Sequence, residues 1–474
     1  MTTFPPIIQG GMGVAISNWK LARTVSQLGQ LGVVSGTGIE TILSRRLQLG
    51  DPGGAVRRAL AHFPFPAVVE RVLADYFVAG GKPDSSPFRL VPKASLTPGP
   101  RSVEPVVLGA FVEVFLAKEG HEGLIGINLL EKIQIPTLPA LFGAMLAGVA
   151  CVLMGAGIPR AIPGALDRLA AGEPAALKID VEGALPGEEF FSTFDPQAFC
   201  GGNAPMLSRP KFIAIISSAT LAITLARKSN GRVDGFVVEG ESAGGHNAPP
   251  RGPMQISAKG EPVYGPRDVP ELEKIRALGL PFWLAGSYGQ PGKLAAALQL
   301  GAAGIQAGTA FAFCEESGLH PELKRQILEL SRQGRAEIFT DPLASPTGFP
   351  FKVAAVAGTL SDPTIFAARE RICDIGALQR PFRKVDGTVG YRCPSELVED
   401  YVRKGGQAEE TVGRKCVCNG LVATAGFAQV RPGQGTEPAL VTAGNDLGQI
   451  AEFLPPDRDS YTAADVVRCL LKPA

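Results

Sequence analysis

Eight short apolar runs recur through the first two thirds of the chain, and each ends in or near glycine or a small polar residue. Each run is too short for a buried helix, and segments with the apolar spacing of helices separate most of them. The runs cover residues 6–13, 31–36, 124–130, 151–157, 212–218, 236–240, 281–286 and 304–309. This alternation predicts a closed (β/α)8 TIM barrel whose loops after the strands open on one face. An open doubly wound sheet is the alternative.

The lengths of the segments between the predicted strands indicate how the chain is divided into regions. We predict a barrel over residues 1–313 with long insertions at about 40–120 and 172–210. Two strand-like runs inside the second insertion predict a hairpin or flap. Residues 314–474 are expected to form an additional, mostly helical region that lies on the barrel as a lid, since segments of this length often cover binding sites.

The amino-acid composition limits the classes of partner that the protein is expected to bind. The chain has 46 Lys and Arg residues against 45 Asp and Glu residues, so no strong overall field attracts nucleic acid or an anionic membrane surface. We therefore expect a small-molecule substrate. The sequence contains neither an apolar run long enough for a membrane span nor a signal-peptide pattern, so we expect a cytoplasmic protein. Its 8 scattered cysteines indicate reduced thiols rather than a disulfide framework.

The sixth run is followed by the most informative stretch of the chain. Here Gly244 and Gly245 come directly before His246. Two glycines let the backbone approach a flat or anionic group closely, and the carboxyl ends of parallel strands are where ligands bind. The stretch therefore predicts a binding site with His246 as the candidate catalytic residue. Alternatively, the glycines form only a turn and His246 is an ordinary loop histidine.

The ends of the seventh and eighth strands predict a phosphate site. Gly286 and Ser287 follow one strand, and Gly308 and Thr309 follow the next. Barrels commonly bind phosphate at this position, because glycine backbones expose N–H groups and hydroxyls add further donors. A phosphorylated cofactor is the expected ligand, although the glycines could be merely structural.

The opposite side of the predicted barrel mouth suits an aromatic ring system. Gly11, Met12 and Gly13 can lay peptide groups and a polarizable sulfur against such a ring. Asn128 has both an amide donor and an acceptor for a ring edge such as a flavin pyrimidine. Its alternative role is to cap the following turn.

Residues 7–13, 239–246, 284–287 and 301–311 together resemble the nitronate monooxygenase family, formerly called 2-nitropropane dioxygenases. The resemblance runs in order over residues 5–313 and implies an FMN-dependent barrel. It implies that the phosphate is held at the ends of the seventh and eighth strands and that the isoalloxazine ring lies near Gly11, Met12, Asn128 and Gly245. It also places His246 at the active-site histidine, which either takes a proton as neutral imidazole or holds a nitronate anion when charged.

Three functions follow from the resemblance. The first is oxidation of alkyl nitronates with O2. The second is an enoyl reductase of the polyketide or fatty acid type, in which NAD(P)H is the reductant and the enoyl thioester is carried on an acyl carrier protein. The third is a non-catalytic flavoprotein or interaction module. Arg160, Lys211 and Arg251 are candidates for binding anionic groups, although basic loop residues are more often only solvated.

The C-terminal region contains a closely spaced cysteine pair, Cys416 and Cys418, with Cys393 upstream. This spacing lacks the paired Cys-x2-Cys pattern of a structural zinc site, and no histidine follows His320. We therefore expect no metal. The segment is expected to pack on the barrel, with Asn419 as a residue that could reach the substrate pocket.

Overall fold

Parallel strands and surrounding helices form most of the molecule, with short antiparallel pairs in the added regions. The computed structural model of the chain describes residues 4–433 and 435–472. The strands are β1 (Ile7–Gln9), β2 (Gly32–Ser35), β3 (Ile125–Leu130), β4 (Cys151–Gly155), β5 (Ala175–Ile179), β6 (Phe190–Phe194), β7 (Lys211–Ile216), β8 (Gly235–Glu239), β9 (Phe282–Ala285), β10 (Gly304–Ala307), β11 (Ile338–Asp341), β12 (Phe351–Ala354), β13 (Arg380–Arg383), β14 (Val389–Arg392), β15 (Val430–Arg431) and β16 (Gly435–Thr436).

The helices alternate with the barrel strands and also fill the insertions and the C-terminal region. They are α1 (Trp19–Gln27), α2 (Ile39–Gln48), α3 (Ala55–Leu60), α4 (Pro66–Tyr76), α5 (Pro100–Lys118), α6 (Thr137–Leu146), α7 (Ile162–Ala170), α8 (Pro196–Phe199), α9 (Ala219–Lys228), α10 (Leu272–Arg276), α11 (Lys293–Gln299), α12 (Thr309–Ala312), α13 (Pro321–Arg332), α14 (Pro363–Ala368), α15 (Val398–Arg403), α16 (Val417–Thr424) and α17 (Ala463–Leu471). Short 3-10 segments lie at Pro52–Gly54, Pro266–Asp268, Ala408–Thr411 and Asn445–Phe453. No helix among the described residues is long and apolar enough to span a membrane.

The eight predicted strands form one parallel sheet, which confirms the barrel. Its order is β1-β10-β9-β8-β7-β4-β3-β2. The two ends of this order meet, because Ile8 and Leu31 form a parallel bridge and the Gln9 N–H donates to the Leu31 carbonyl at 3.0 Å. The sheet is therefore closed, and the carboxyl ends of all eight strands surround one opening.

Successive side chains along the strands point to opposite sides of the sheet, so the barrel has an inner core and an outer one. In β4, Cys151 and Leu153 pack with other inward residues of the barrel, whereas Val152 and Met154 pack in the large cluster between barrel and helices. The strands are thus buried on both sides, which explains their near-continuous apolar sequences.

The two insertions differ in structure. Residues 40–120 are largely helical, and α5 packs against α2 and α6. A Cβ at Gly143 of α6 would lie 2.1 Å from the Val107 carbonyl oxygen, so glycine is needed for the close approach of α6 to α5. In the second insertion, β5 and β6 pair antiparallel, as the hairpin prediction required.

The C-terminal region combines helices with three antiparallel strand pairs, which the sequence analysis did not identify. The pairs are β11 with β12, β13 with β14, and β15 with β16. Residues of this region reach the barrel opening, and His246 at the end of the β8 loop forms an antiparallel bridge with Phe351 of β12. The region therefore forms part of the wall around the barrel mouth.

Candidate active site

A cavity of about 260 Å³ lies at the carboxyl ends of the barrel strands. The structure brings all the residues predicted for the site into its wall. They are Gly11, Met12, Gly13, Asn128, Gly244, Gly245, His246, Gly286, Ser287, Gly308 and Thr309. Residues far apart in the sequence thus share one cavity because parallel strands end on the same face of the barrel.

The loop after β1 is fixed by its own hydrogen bonds. The Ser17 hydroxyl accepts from the Met12 N–H at 2.8 Å and donates to the Gly10 carbonyl at 2.8 Å. A Cβ at Gly11 would lie 2.2 Å from the Cβ of Asn128, so only glycine permits this approach to β3. The loop therefore presents peptide groups, rather than side chains, beside Asn128.

Two other glycines of the cavity wall have no close neighbour on the side where a Cβ would lie. A Cβ at Gly245 would meet no atom within 4 Å, and Gly245 has a positive φ of 80° that favours glycine. A Cβ at Gly308 would have the Met12 sulfur as its nearest neighbour, at 3.7 Å. These glycines keep the space between the β1, β8 and β10 loops free for a ligand.

The loop after β9 has an unusual backbone. Gly286 has φ of 84°, and the following Ser287 has φ of 56° although it is not a glycine. Non-glycine residues in this region are uncommon and tend to occur at functional sites, where the surrounding structure holds them. This backbone belongs to the predicted phosphate end of the cavity.

A buried carboxyl group, Asp446 of the C-terminal region, lies at the same end and was not predicted. The Thr309 hydroxyl accepts from the Gly444 N–H at 2.9 Å, and Asp446 follows two residues after Gly444 and lines the cavity. The Asp446 Oδ1 atom has no partner among the described residues, and burial raises the pKa of the carboxyl. A protonated Asp446 can donate to an anion, whereas an ionised one would repel it.

His246 is held from two sides by the C-terminal region. Its Nε2 atom lies 2.7 Å from the Ser345 Oγ, and its ring meets the Phe351 ring edge to face at a centroid distance of 4.8 Å. Burial, with a smaller contribution from the charge of Lys132, lowers the pKa of His246 to about 4. The imidazole is therefore neutral at neutral pH, which suits proton acceptance better than the holding of an anion.

Sequence reasoning missed two polar residues of the cavity wall. Burial raises the pKa of Glu239, the last residue of β8, to about 7. The Gln306 Oε1 atom is buried and accepts no hydrogen bond from the described residues. Both residues lie at strand ends within the motifs described above, and this position could have identified them as cavity residues. Ser345, Phe351 and Asp446 had no such signal.

Some expected contacts are absent. Asn419 is not part of the cavity wall; its amide donates to the Ile372 carbonyl at 3.2 Å, and its neighbour Cys418 lines the cavity instead. Of the three basic candidates, Arg160 bonds the Lys228 carbonyl and Lys211 lies 3.5 Å from Asp234. Neither they nor Arg251 line the cavity.

Comparison with known sequences gives a match to one part of the chain. Residues 206–339 match the model of a family described as nitronate monooxygenase. The segment includes His246 and the predicted phosphate loops after β9 and β10, whereas Gly11, Met12, Gly13 and Asn128 lie outside it.

A probable nitronate monooxygenase of Bacillus subtilis (strain 168) is 37% identical over 114 residues, which are 24% of this chain and 30% of that relative. The chain thus matches less than a third of the relative's length. Three solved structures resemble the chain more loosely. They are FabK from Thermotoga maritima (TM-score 0.46, 16% identity, 98% of this chain and 91% of that one), a nitroalkane oxidase from Streptomyces ansochromogenes (0.47, 14%, 98% and 95%) and the enoyl reductase domain of MlnA from Bacillus amyloliquefaciens (0.48, 11%, 98% and 92%).

Proposed function

We propose that the protein is an FMN-dependent oxidoreductase that oxidises alkyl nitronates with O2. The observation that carries this proposal is the position of a neutral His246 in the same cavity as the glycine-rich strand ends. The match of residues 206–339 to the nitronate monooxygenase family supports it.

The cavity fits FMN in its chemistry. The open face of Gly245 leaves room for a flat ring, and the Gln306 oxygen, which has no partner among the described residues, can accept a ring N–H. On the side of the cavity that would hold the ring we also assign Gly11, Met12, Gly13, Asn128 and Gly244. On the phosphate side we assign Gly286, Ser287, Gly308 and Thr309, beside a carboxyl whose raised pKa favours its neutral form. When bound, FMN supplies the redox chemistry.

His246 is assigned the proton transfer. A neutral imidazole can take the proton next to a nitro group or hydrogen-bond the resulting nitronate. Ser345 orients the ring through Nε2, and the Phe351 ring limits its rotation. Apolar residues of the C-terminal region, among them Phe351, Val417 and Leu421, line the cavity, so the small anionic substrate would meet His246 in a largely apolar space.

A second cavity gives the enoyl reductase alternative some support. It has a volume of about 300 Å³ and shares Thr37, Leu129 and Leu378 with the first. Its wall contains basic residues, among them Arg89 and Lys93, and also four carboxylates, Glu40, Glu131, Asp180 and Asp374. Its volume and its connection to the first cavity leave room for part of a larger second reactant, such as NAD(P)H or the arm of an acyl carrier protein.

An anaerobic absorbance titration distinguishes the functions. The flavin released from the purified protein is first identified as FMN, and the protein is then mixed with an alkyl nitronate or with NADPH. We expect prompt flavin reduction by the nitronate alone. Reduction by NADPH alone would support the enoyl reductase. FMN retention without turnover of either candidate would support a non-catalytic flavoprotein, and failure to bind added FMN would refute all three.

A further inference from the structure

Two hydroxyl groups form a series of hydrogen bonds that leads away from the imidazole of His246. The His246 Nε2 atom lies 2.7 Å from the Ser345 Oγ atom, which in turn lies 2.8 Å from the Thr347 Oγ1 atom. Both distances are in the usual range for hydrogen bonds. The His246 Nδ1 atom has no such partner among the described residues, so it is left for a ligand.

This series of hydrogen bonds joins the two cavities. His246 lines the first cavity, and Thr347 lines the second. Ser345, which lies between them, is fully buried and lines neither cavity. The hydrogen bonds therefore lead through the interior of the protein, from the proposed substrate site to a second space with a more polar wall.

Backbone N–H groups hold both hydroxyl oxygens in place. The Thr347 N–H donates to the Ser345 Oγ at 3.2 Å, and the Phe349 N–H donates to the Thr347 Oγ1 at 3.3 Å. A hydroxyl group has one proton and two lone pairs. Since the backbone occupies one lone pair of each hydroxyl, each keeps one proton to donate and one lone pair to accept with.

The series can run in either direction. When Nε2 carries a proton, it donates to Ser345, Ser345 donates to Thr347, and the Thr347 proton is left for the second cavity. When Nε2 carries no proton, Thr347 donates to Ser345, and Ser345 donates to Nε2. Ser345 is fully hydrogen-bonded in both states, so the transfer of one proton converts one state into the other.

The surroundings favour the removal of a proton from His246. Burial lowers the pKa of His246 to about 4, and the charge of Lys132 acts in the same direction, so a charged imidazolium is unfavourable here. Glu40 and Glu131 line the second cavity, and burial raises the pKa of both carboxyl groups. A carboxylate with a raised pKa takes up a proton more readily, so the second cavity can receive the proton that His246 gives up.

We infer that Ser345 and Thr347 form a proton relay between His246 and the second cavity. The inference rests on the proposed function, in which His246 takes the proton from the carbon next to a nitro group. That proton bonds to Nδ1, and the electron pair of the broken C–H bond stays on the substrate as the nitronate. The Nε2 proton passes to Ser345, the Ser345 proton passes to Thr347, and the Thr347 proton enters the second cavity. The first state returns when Nδ1 gives its proton to the departing anionic product and one proton comes back along the relay to Nε2.

The test compares a neutral nitroalkane with its preformed nitronate as substrates of the FMN-bound protein. Thr347→Val keeps the shape of the side chain and removes its hydroxyl. Because the nitronate has already lost the proton, we expect the ratio of kcat for the nitroalkane to kcat for the nitronate to fall by about 10²-fold, the lower end of what a placed proton-transfer group contributes. Thr347→Ser restores the hydroxyl and should recover most of the ratio. Thr364→Val, at an exposed threonine of the same region, is the control.

The kinetic outcomes separate the relay from the proposed function. An unchanged ratio in Thr347→Val would refute the relay. Oxidation of the nitronate but not of the nitroalkane by the wild-type protein would also refute it, since no proton is then taken from carbon. Oxidation of neither substrate would refute the proposed function instead.

A second readout is independent of turnover. The chain has 4 histidines, so labelling of histidine with ¹⁵N gives few NMR signals, and His246→Ala identifies those of His246. The measured quantity is the rate at which the His246 ring N–H exchanges with water. Thr347→Val should slow this exchange relative to the wild-type protein and to Thr347→Ser. An equal rate in all three proteins would refute the relay, whatever substrate the protein oxidises.

Discussion

The Nε2 atom of His246 lies 2.7 Å from the Ser345 hydroxyl oxygen, which joins the β8 loop of the barrel to the C-terminal region. Ser345 is fully buried, and its hydroxyl oxygen also lies 2.8 Å from that of Thr347. The orientation of the proposed catalytic imidazole is thus set by residues almost 100 positions further along the chain.

Replacement of Ser345 should therefore lower activity without loss of FMN. We expect Ser345→Ala to reduce kcat by up to about 100-fold, the order of effect that a misplaced reacting group produces. His246→Ala should cost more, about 10²–10⁴-fold. Steady-state kinetics and the bound flavin content check both variants. Ser331→Ala, at another buried serine, is the control, and an equal loss there would indicate a general folding defect.

The charge of Lys132 should affect the pH dependence of kcat/KM. Lys132 lowers the pKa of His246, so Lys132→Gln should raise that pKa, although burial, the larger cause, keeps it below the usual value. A base is active above its pKa. The acid limb of the kcat/KM profile should therefore move from about pH 4 to higher pH, with little change at pH 8. Lys228→Gln, on an exposed residue at the end of α9, should leave the limb in place; an identical shift there would argue against the Lys132 effect.

Asp446 should make FMN binding pH-dependent. Its carboxyl has a raised pKa, so it is neutral at low pH and repels a phosphate once pH rises through that pKa. We expect Asp446→Asn to bind FMN roughly tenfold more tightly at pH 8, which corresponds to about 1.4 kcal/mol of removed repulsion. Riboflavin, which lacks the phosphate, is the control in a fluorescence titration. A similar gain for riboflavin would contradict the phosphate assignment.

The ion-pair network beneath α16 should contribute strongly to stability. Glu437 accepts from Arg369 at 2.5 Å and from Arg431 at 2.6 Å, and its side chain is only 1% exposed. Glu437→Gln leaves two buried guanidinium groups short of a counter-charge, which should lower the free energy of unfolding by about 3–5 kcal/mol. Urea denaturation measures the change. Glu273→Gln removes an exposed pair with Arg276 and should cost no more than about 1 kcal/mol; equal losses would contradict the network's role.

The barrel and much of the cavity could be predicted from local sequence. Runs such as 236–240 are apolar because a barrel strand is buried on both faces, and each ends in glycine or a small polar residue because its loop begins there. Residues at the carboxyl ends of successive parallel strands must share one face of the barrel. His246, Gly286 and Thr309 could therefore be assigned to one site without knowledge of their contacts.

The part played by residues 314–474 was decided only by tertiary structure. Ser345 and Asp446 carry no motif, and their function depends on which barrel residue they meet across more than 90 positions of chain. Buried segments of this region are placed by packing and by hydrogen bonds between distant residues, which no local sequence pattern records.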